Sequence, residues 1–325
     1  MLRLTFLGTA SSRPTVARNV SSIAVQRDGR SFLFDCGEGT QRQMMRFGVG
    51  FALTDIFVTH LHSDHYLGLT GLLRTLALQG RSEPLTLWGP EGSAGTLAAV
   101  RDLGGDRTPF EVPIRELAPG DALRDAGFRI EAFATRHTQR SIGLLLAEDD
   151  RPGRFDVGAA RARGVPEGPA FGRLHRGEAV TLADGTVVTP DDLVGPPRPG
   201  RRVVYTGDTR PTPETVEAAR GADLLVHEAT FDDSEAARAR DTGHSTAREA
   251  AEIAAAASVR RLVLTHISAR YSDRPGQLLD EAREVFRSVE IARDGYAVEV
   301  RYAEEEPTGR PEEADGGDAV AGATR

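Results

Sequence analysis

A short polar run in the first fifth of the chain carries the side chains best suited to chemistry. It contains His60, His62, Asp64 and His65, and it follows the apolar stretch 56–59. Imidazole and carboxylate groups are good zinc ligands, and this spacing lets the first two histidines hold one ion while the following pair faces a second. A solvated loop is the plain alternative, but three of the chain's 8 histidines lie in this run. The run therefore predicts a paired divalent-metal site.

Four later apolar segments also end in side chains that bind metals or titrate. They lead to His137, Asp208, the pair His227 and Glu228, and His266. Strands that end along one edge of a sheet can bring such residues into a single cleft. Because helical patterns lie between the strands, we predict a layered α/β fold. The helices are expected over residues 68–78, 213–220, 246–257 and 277–286.

The composition is ordinary for a soluble globular protein, with 39% hydrophobic and 27% charged residues. Residues 1–8 read as a short strand rather than a leader peptide, and no segment approaches membrane-spanning length. We therefore expect a cytoplasmic protein that has no membrane partner. Cys36 is the only cysteine, which excludes an intrachain disulfide and thiolate zinc sites. Any metal must sit on His, Asp or Glu.

Residues 1–303 are predicted to form one domain with a long insertion. The insertion, at about 148–198, is dense in Gly, Pro and Arg and shows little apolar periodicity. A protruding basic segment suits a phosphate backbone, and a merely solvated insertion is the alternative. Residues 304–325 carry seven acids against two arginines, most of the net charge of −8. We predict that this tail is disordered and assign it no function.

The candidate ligands are too many for one tetrahedral zinc and suit two ions that share a carboxylate. Two ions about 3.5 to 4 Å apart can polarise a phosphoryl oxygen and stabilise both the entering and the leaving oxygen. Hydrolysis of a phosphodiester is therefore expected, with Asp208 as the natural bridging ligand. The full set is His60, His62, Asp64, His65, His137, Asp208 and His266.

The motifs around these residues resemble a known family. The H-x-H-x-D-H run is similar to the metallo-β-lactamase superfamily, and the other motifs are similar to its tRNA 3′-processing branch, the ribonuclease Z family. This resemblance implies a four-layer αββα sandwich with a protruding flexible arm. The motifs lie at 6–9, 35–42, 207–210, 227–231, 244–246 and 266–271.

The resemblance also implies two zinc ions per subunit and a role for each site residue. Asp64 would accept the proton of the attacking water, and His244, kept protonated by Glu228, would protonate the departing 3′ oxygen. An ordinary buried ion pair is the alternative for Glu228 and His244. His227 would point to the opposite face of its strand. One zinc would be held by His60, His62 and His137, the other by Asp64, His65 and His266, with Asp208 between them.

By the same resemblance, the insertion is the arm that grips the tRNA elbow, a contact that needs shape and backbone recognition rather than base reading. Precursor tRNA is the expected partner, and DNA is not expected to bind. Family members of this length form homodimers, so we expect a homodimer. Val16 occupies a position in a loop near the amino terminus where the family commonly has lysine. This difference bears on whether the enzyme cuts precursors that already encode the CCA end. The expected RNA contacts are Arg151, Arg154, Gly168, Pro169, Arg173 and Arg176.

The leading hypothesis is therefore a zinc-dependent endoribonuclease that removes the 3′ trailer from precursor tRNA. It would leave a 3′-hydroxyl on the tRNA and a 5′-phosphate on the trailer. A hydrolase of small phosphodiesters or aryl sulfates with the same fold is the alternative, and it would have no use for an arm. An RNA-binding protein without catalysis would require a broken ligand set, whereas this set is complete.

Overall fold

The computed structural model describes residues 1–103, 108–272 and 274–303, so the predicted disordered tail at 304–325 lies outside the described residues. The strands are β1 (Leu2–Gly8), β2 (Ser22–Arg27), β3 (Arg30–Phe34), β4 (Asp55–Phe57), β5 (Thr86–Pro90), β6 (Ile114–Leu117), β7 (Ala122–Asp125), β8 (Phe128–Ala134), β9 (Ile142–Glu148), β10 (Val180–Thr181), β11 (Val187–Val188), β12 (Arg202–Tyr205), β13 (Leu224–Glu228), β14 (Leu262–Thr265), β15 (Val289–Ile291) and β16 (Ala297–Glu299).

The α-helices are α1 (Thr40–Arg46), α2 (Ser63–Tyr66), α3 (Gly68–Leu78), α4 (Ala94–Asp102), α5 (Val157–Ala162), α6 (Pro169–His175), α7 (Pro213–Ala219), α8 (Ala236–Thr242), α9 (Ala247–Ala256) and α10 (Gly276–Val285). Short 3-10 turns cover Pro190–Asp192, Asp233–Glu235 and Ala269–Tyr271. The four predicted helices are confirmed as α3, α7, α9 and α10, with ends within one or two residues of prediction. Helix α9 opens with a capping box formed by Thr246 and Glu249.

Two seven-stranded sheets form the body of the protein. The first has the order β16-β1-β2-β3-β4-β5-β6 and the second the order β15-β14-β13-β12-β9-β8-β7. In each sheet one half is parallel, from β3 to β6 and from β12 to β15. The central parallel strands β4, β13 and β14 are buried along their length because both of their faces are covered.

The apolar side chains separate into layers that confirm the predicted four-layer αββα sandwich. Phe6 and Phe32 of the first sheet pack with Leu144 and Val203 of the second between the sheets. The outer face of the first sheet packs against α1, α3 and α4, and that of the second against α7, α9 and α10. Each sheet therefore has one helical layer and one sheet as its neighbours.

The insertion between β9 and β12 folds as a small unit with an apolar cluster of its own. It contains α5, α6 and the hairpin β10–β11, and its stem is closed by backbone pairing of Arg151 with Arg198 and of Phe155 with Val194. The sequence showed little apolar periodicity because each element contributes only one or two side chains to the cluster. The buried members are Ala160, Val165, Leu174, Val180, Val188 and Leu193.

Through the parts of the chain that the structure describes, none of the helices combines the length and the apolar character that a membrane span requires.

Candidate metal centre

The polar run that follows β4 lies at the carboxyl edge of the first sheet. The chain leaves the strand at Val58, passes His60 and His62, and enters the short helix α2, which carries Asp64 and His65. His60 and His65 are buried, whereas His62 is exposed to the cleft. The second sheet faces this run with the ends of β12 and β14, where Asp208 and His266 follow the strands.

The seven predicted ligands converge at this point. His60, His62, His137 and Asp208 form one group, and Asp64, His65 and His266 form another; in each group the ligand atoms lie within 4.8 Å of one another. Asp208 Oδ2 lies 3.6 Å from His60 Nε2, 3.4 Å from His65 Nε2 and 3.3 Å from His266 Nε2. Asp208 is therefore in contact with both groups.

The buried atoms of this cluster fit a bound cation. Within the described residues, Nε2 of His60, His65 and His266 and Oδ1 of Asp208 are buried and have no hydrogen-bond partner. Buried polar atoms are rarely left unpaired, since each unpaired group costs about 1 to 3 kcal/mol. A divalent metal ion would satisfy these atoms, because imidazole nitrogens and carboxylate oxygens are good ligands for such ions. The residues present thus suit a metal centre.

Neighbouring polar groups orient the imidazoles. His65 Nδ1 donates to Asp35 at 2.7 Å, and the Tyr205 hydroxyl donates to the same carboxylate oxygen at 2.7 Å. His266 Nδ1 lies 2.9 Å from the Thr230 hydroxyl. These contacts direct Nε2 of both histidines at the cluster, the arrangement usual for metal-bound histidines. Asp35 belongs to the motif at 35–42, from which no role was predicted for it.

The charges of the cluster perturb one another strongly. Burial alone would raise the pKa of Asp208, but the neighbouring His266, His65 and His60 hold it well below its usual range. Burial would lower the pKa of His65, and the carboxylates of Asp208 and Asp35 instead raise it well above its usual range. A concentration of opposite charges at this depth is typical of functional sites.

Glu228 and His244 form a buried pair beside the ligands. His244 Nδ1 lies 2.8 Å from Glu228 Oε1, and the same carboxylate accepts hydrogen bonds from the backbone N–H of Thr209 at 3.0 Å and from the Thr230 hydroxyl. Burial lowers the pKa of His244, but the charge and hydrogen bond of Glu228, aided by Asp208, raise it to about 9. An imidazolium is therefore favoured next to the cluster.

His227 lies on the other face of β13, as predicted. Its strand neighbours Leu225 and Ala229 belong to the apolar layer between the second sheet and its helices. Its Nδ1 lies 2.7 Å from the backbone oxygen of Glu228. This side chain does not reach the metal centre.

Arg210 ties the loop that carries His244 to helix α9. Its guanidinium donates to the backbone oxygen of His244 at 2.5 Å and pairs with both carboxylate oxygens of Glu249. Glu249 in turn accepts from the backbone N–H of Thr246 at 2.9 Å. The position of His244 thus depends on a bidentate pair that the sequence analysis did not single out.

An open cleft of about 380 Å³ leads to the centre, and His62, His137 and His244 line it. Arg13, Arg238 and Arg270 lie along its rim. A second depression of about 440 Å³ next to His137 is lined by Arg136, Arg210 and Arg240. These arginines could not be singled out from the sequence, because all 40 basic residues of the chain are arginine and they occur throughout it.

The predicted RNA-contacting residues all lie in the insertion and not at the metal centre. Arg154, Gly168 and Pro169 are exposed. Gly168 has a positive φ of 101° and precedes α6, and Pro169 occupies the first helical position. Two other residues, Arg173 and Arg176, are also exposed and pair with Glu178 at 3.2 and 3.4 Å.

Arg151 differs from the other residues of this set. It is only partly exposed, lies at the stem of the insertion, and places its guanidinium 3.3 Å from the centre of the Tyr302 ring. His175, which also lies in the insertion, places its Nε2 3.0 Å from the backbone oxygen of Gly153.

Comparison with known proteins agrees with this geometry. Residues 193–267 match the family model of the β-lactamase superfamily domain, and residues 2–151 match the model of the anti-Pycsar protein Apyc1. The chain is 58% identical to a ribonuclease Z of Gemmatimonas aurantiaca, covering 94% of this chain and 98% of that protein. It is 54% identical to a ribonuclease Z of Haloferax volcanii, covering 99% of each.

Among solved structures, the chain is similar to the short form of human tRNase Z. The TM-score is 0.68 and the sequence identity 28%, over 92% of this chain and 99% of the human one. The high identity over nearly the full length of these ribonuclease Z relatives decides the assignment. This chain belongs to the ribonuclease Z family.

Proposed function

We propose that this protein is an endoribonuclease that uses two zinc ions per subunit to remove the 3′ trailer from precursor tRNA. The observation that carries the proposal is the occurrence, in one cleft, of two ligand groups that share Asp208 and of His244 held by Glu228. The products would be a tRNA with a 3′-hydroxyl and a trailer with a 5′-phosphate.

The donor set supports zinc. Imidazoles and carboxylates supply all the candidate ligands, and these are common zinc ligands in hydrolytic sites. Bound zinc ions supply Lewis acidity that polarises a phosphate oxygen and lowers the pKa of water. The proposed sets are His60, His62 and His137 for one ion and Asp64, His65 and His266 for the other, with Asp208 shared.

Asp64 is proposed as the acceptor of the proton lost by the attacking water. Its carboxylate accepts a hydrogen bond from the backbone N–H of Ser12 at 2.8 Å and lies 3.5 Å from Nε2 of His266. Burial raises its pKa, but the close approach of His266 and the charges of His65 and His266 outweigh burial and lower it. The carboxylate is therefore ionised and available as a base.

His244 is proposed as the acid that protonates the departing 3′ oxygen. Its imidazole lines the cleft, and the distance between its ring centre and that of His137 is 4.6 Å. Glu228 keeps the ring charged and fixes its orientation, since Nδ1 is occupied by the carboxylate. An alkoxide is a poor leaving group, so proton donation at this step contributes directly to the rate.

The insertion and the rim arginines support a large polyanionic substrate. The insertion is a separate unit with its own apolar cluster, and Arg154, Arg173 and Arg176 are exposed on it. Binding of an RNA helix at these residues would rely on phosphates and shape. We therefore propose that the insertion is the tRNA-binding arm, with Gly168 and Pro169 at its tip and Arg151 at its stem.

We also propose that the protein acts as a homodimer in the cytoplasm, where the arm of one subunit serves a tRNA that lies across the active site of the other. The separate apolar cluster of the insertion supports an arm that can reach beyond its own subunit. Light scattering during gel filtration should give twice the mass of the 34.9 kDa chain. A monomeric mass at assay concentrations would contradict this part of the proposal.

The test compares two substrates with an armless variant. The variant lacks residues 152–197 and joins Arg151 to Arg198 through an Asn-Gly turn, because these two residues already pair as neighbouring strands. We expect it to lose cleavage of precursor tRNA and to keep hydrolysis of bis(p-nitrophenyl) phosphate. Equal retention of both activities would contradict the role of the arm.

The chemistry is tested separately with Asp64→Ala. This variant should lose both activities while its thermal unfolding remains cooperative. The control Glu83→Ala, an exposed residue at the opposite end of β5 from the cleft, should keep both. Full cleavage of precursor tRNA by Asp64→Ala would overturn the proposed mechanism. Cleavage of the small diester alone by the unaltered protein would favour the small-molecule hydrolase.

A further inference from the structure

A second, smaller cavity adjoins the metal centre on the side of His62. Its volume is about 230 Å³, below the roughly 300 to 1,000 Å³ typical of sites for drug-sized ligands. A cavity of this size suits one flat ring system. It shares His62 with the main cleft, so a ligand that occupies both would pass this side chain. Its lining residues are Leu61, Pro90, Glu91, Gly92, Thr138, Gln139 and Arg140.

The walls of this pocket combine an apolar surface with a planar cation. Leu61 and Pro90 supply the apolar part. The Arg140 guanidinium packs directly against Gly92, where an added Cβ would lie only 1.5 Å from Nη1 and where φ is +80°. Arg140 is exposed, and its guanidinium donates a hydrogen bond to the backbone oxygen of Glu91 at 3.4 Å. Apolar surface and guanidinium planes are the groups on which nucleobases stack.

The position of His244 indicates which nucleotide lies on the side of the cleft where this pocket and His62 are. The His137 ring lies between the rings of His62 and His244. Its centre is 4.8 Å from that of His62 and 4.6 Å from that of His244. The departing 3′ oxygen must lie next to His244, so the last tRNA nucleoside belongs on that side of the cleft. The 5′ oxygen that stays on the phosphate carries the first trailer nucleoside, which can then extend past His62.

We propose that the pocket of Leu61, Gly92 and Arg140 binds the base of the first trailer nucleotide. The inference rests on the proposed function and adds a specificity site to it. Any base can stack on the guanidinium and on Leu61. The pocket would therefore require that a base is present but would not distinguish one base from another. It would hold the trailer strand in place while the bond on its 5′ side is cut.

The test measures kcat/KM on two precursor tRNAs that differ only at the first trailer position, which carries either a normal or an abasic nucleotide. For the unaltered protein, we expect removal of the base to lower kcat/KM about tenfold, as the loss of one stacked base should. In Arg140→Ala the two substrates should react at nearly equal rates. Leu61→Ala provides a second variant with the same expectation. Arg115→Ala, an exposed arginine of β6, should retain the tenfold ratio.

Each other outcome is informative. A tenfold ratio that persists in both Arg140→Ala and Leu61→Ala would overturn the assignment, as would an unaltered protein that is indifferent to the abasic nucleotide. A third precursor is abasic at the last tRNA position instead; if both variants become indifferent to that change, the pocket holds the last tRNA base and the assignment is wrong. Failure of the unaltered protein to cut any precursor at the tRNA boundary would refute the proposed function, and the pocket assignment with it.

Discussion

Replacement of Glu148 by glutamine should destabilise the protein in a pH-dependent way. Glu148 ends β9 where the insertion begins, and its side chain is only 3% exposed. It accepts hydrogen bonds from Arg201 at 2.7 and 2.8 Å and from Arg27 at 2.8 Å. Burial raises its pKa, but the hydrogen bonds and charge of Arg201 lower it from 4.5 to about 2. A difference of that size corresponds to about 3 kcal/mol.

The sign follows from the direction of the shift. Because the pKa of Glu148 is lower in the folded state, its contribution to stability is complete above the unfolded value of 4.5 and disappears as the pH falls towards about 2. Glu148→Gln also leaves the buried guanidinium of Arg201 without its partner charge, but this is the loss of the same interaction and not an additional cost.

Urea unfolding monitored by circular dichroism should therefore show a loss of about 3 kcal/mol in the variant at pH 7. The difference from the unaltered protein should shrink between pH 4.5 and the lowest pH at which the protein remains folded. Glu217→Gln, which breaks an exposed pair with Arg220, should leave the unfolding midpoint unchanged. A difference that is independent of pH, or absent at pH 7, would refute the reasoning.

Three further predictions follow from the centre and its rim. Asp35→Asn should weaken zinc binding about 10- to 100-fold in competition with a chelator, because it removes the carboxylate that orients a ligand; unchanged affinity would contradict that role. Arg210→Ala should slow cleavage of precursor tRNA much more than hydrolysis of bis(p-nitrophenyl) phosphate, whose leaving group needs no acid, since it displaces His244; equal slowing would contradict a positioning role. Alanine at both Arg136 and Arg240 should reduce the slope of log KM for precursor tRNA against log salt by about two, and an unchanged slope would exclude phosphate contacts there.

The convergence of the candidate metal ligands could be predicted from the sequence because each of them follows a recognisable strand. His60, Asp208 and His266 come directly after apolar runs that form β4, β12 and β14. Parallel strands place their carboxyl ends at one edge, so strand assignment alone indicates convergence. The four helices were predictable for a related reason, since their apolar faces repeat at helical spacing.

The groups that surround the ligands were not predictable in the same way. Asp35 follows β3 and contacts His65 of α2 and Tyr205 of the second sheet, and only the packing of the two sheets brings Tyr205 to this carboxylate. Arg136 and Arg240 are exposed arginines in a chain that has many. Their importance depends on a shared location, which spacing along the chain does not reveal.

The insertion shows a different limit. Its apolar cluster takes single side chains such as Val165, Leu174 and Leu193 from separate elements. No window of the sequence contains enough of them to show a strand or helix period. The pocket beside His62 is likewise assembled from three loops, so neither unit could be derived from periodicity.

The central claim is that water attacks the phosphate and the 3′ oxygen of the tRNA departs. Analysis of the product ends by mass spectrometry, after reaction of the zinc-loaded protein with one precursor tRNA, tests this claim most directly. We predict a tRNA that ends in a 3′-hydroxyl at a single position and a trailer that carries a 5′-phosphate. A 2′,3′-cyclic phosphate or a 3′-phosphate on the tRNA would contradict the claim.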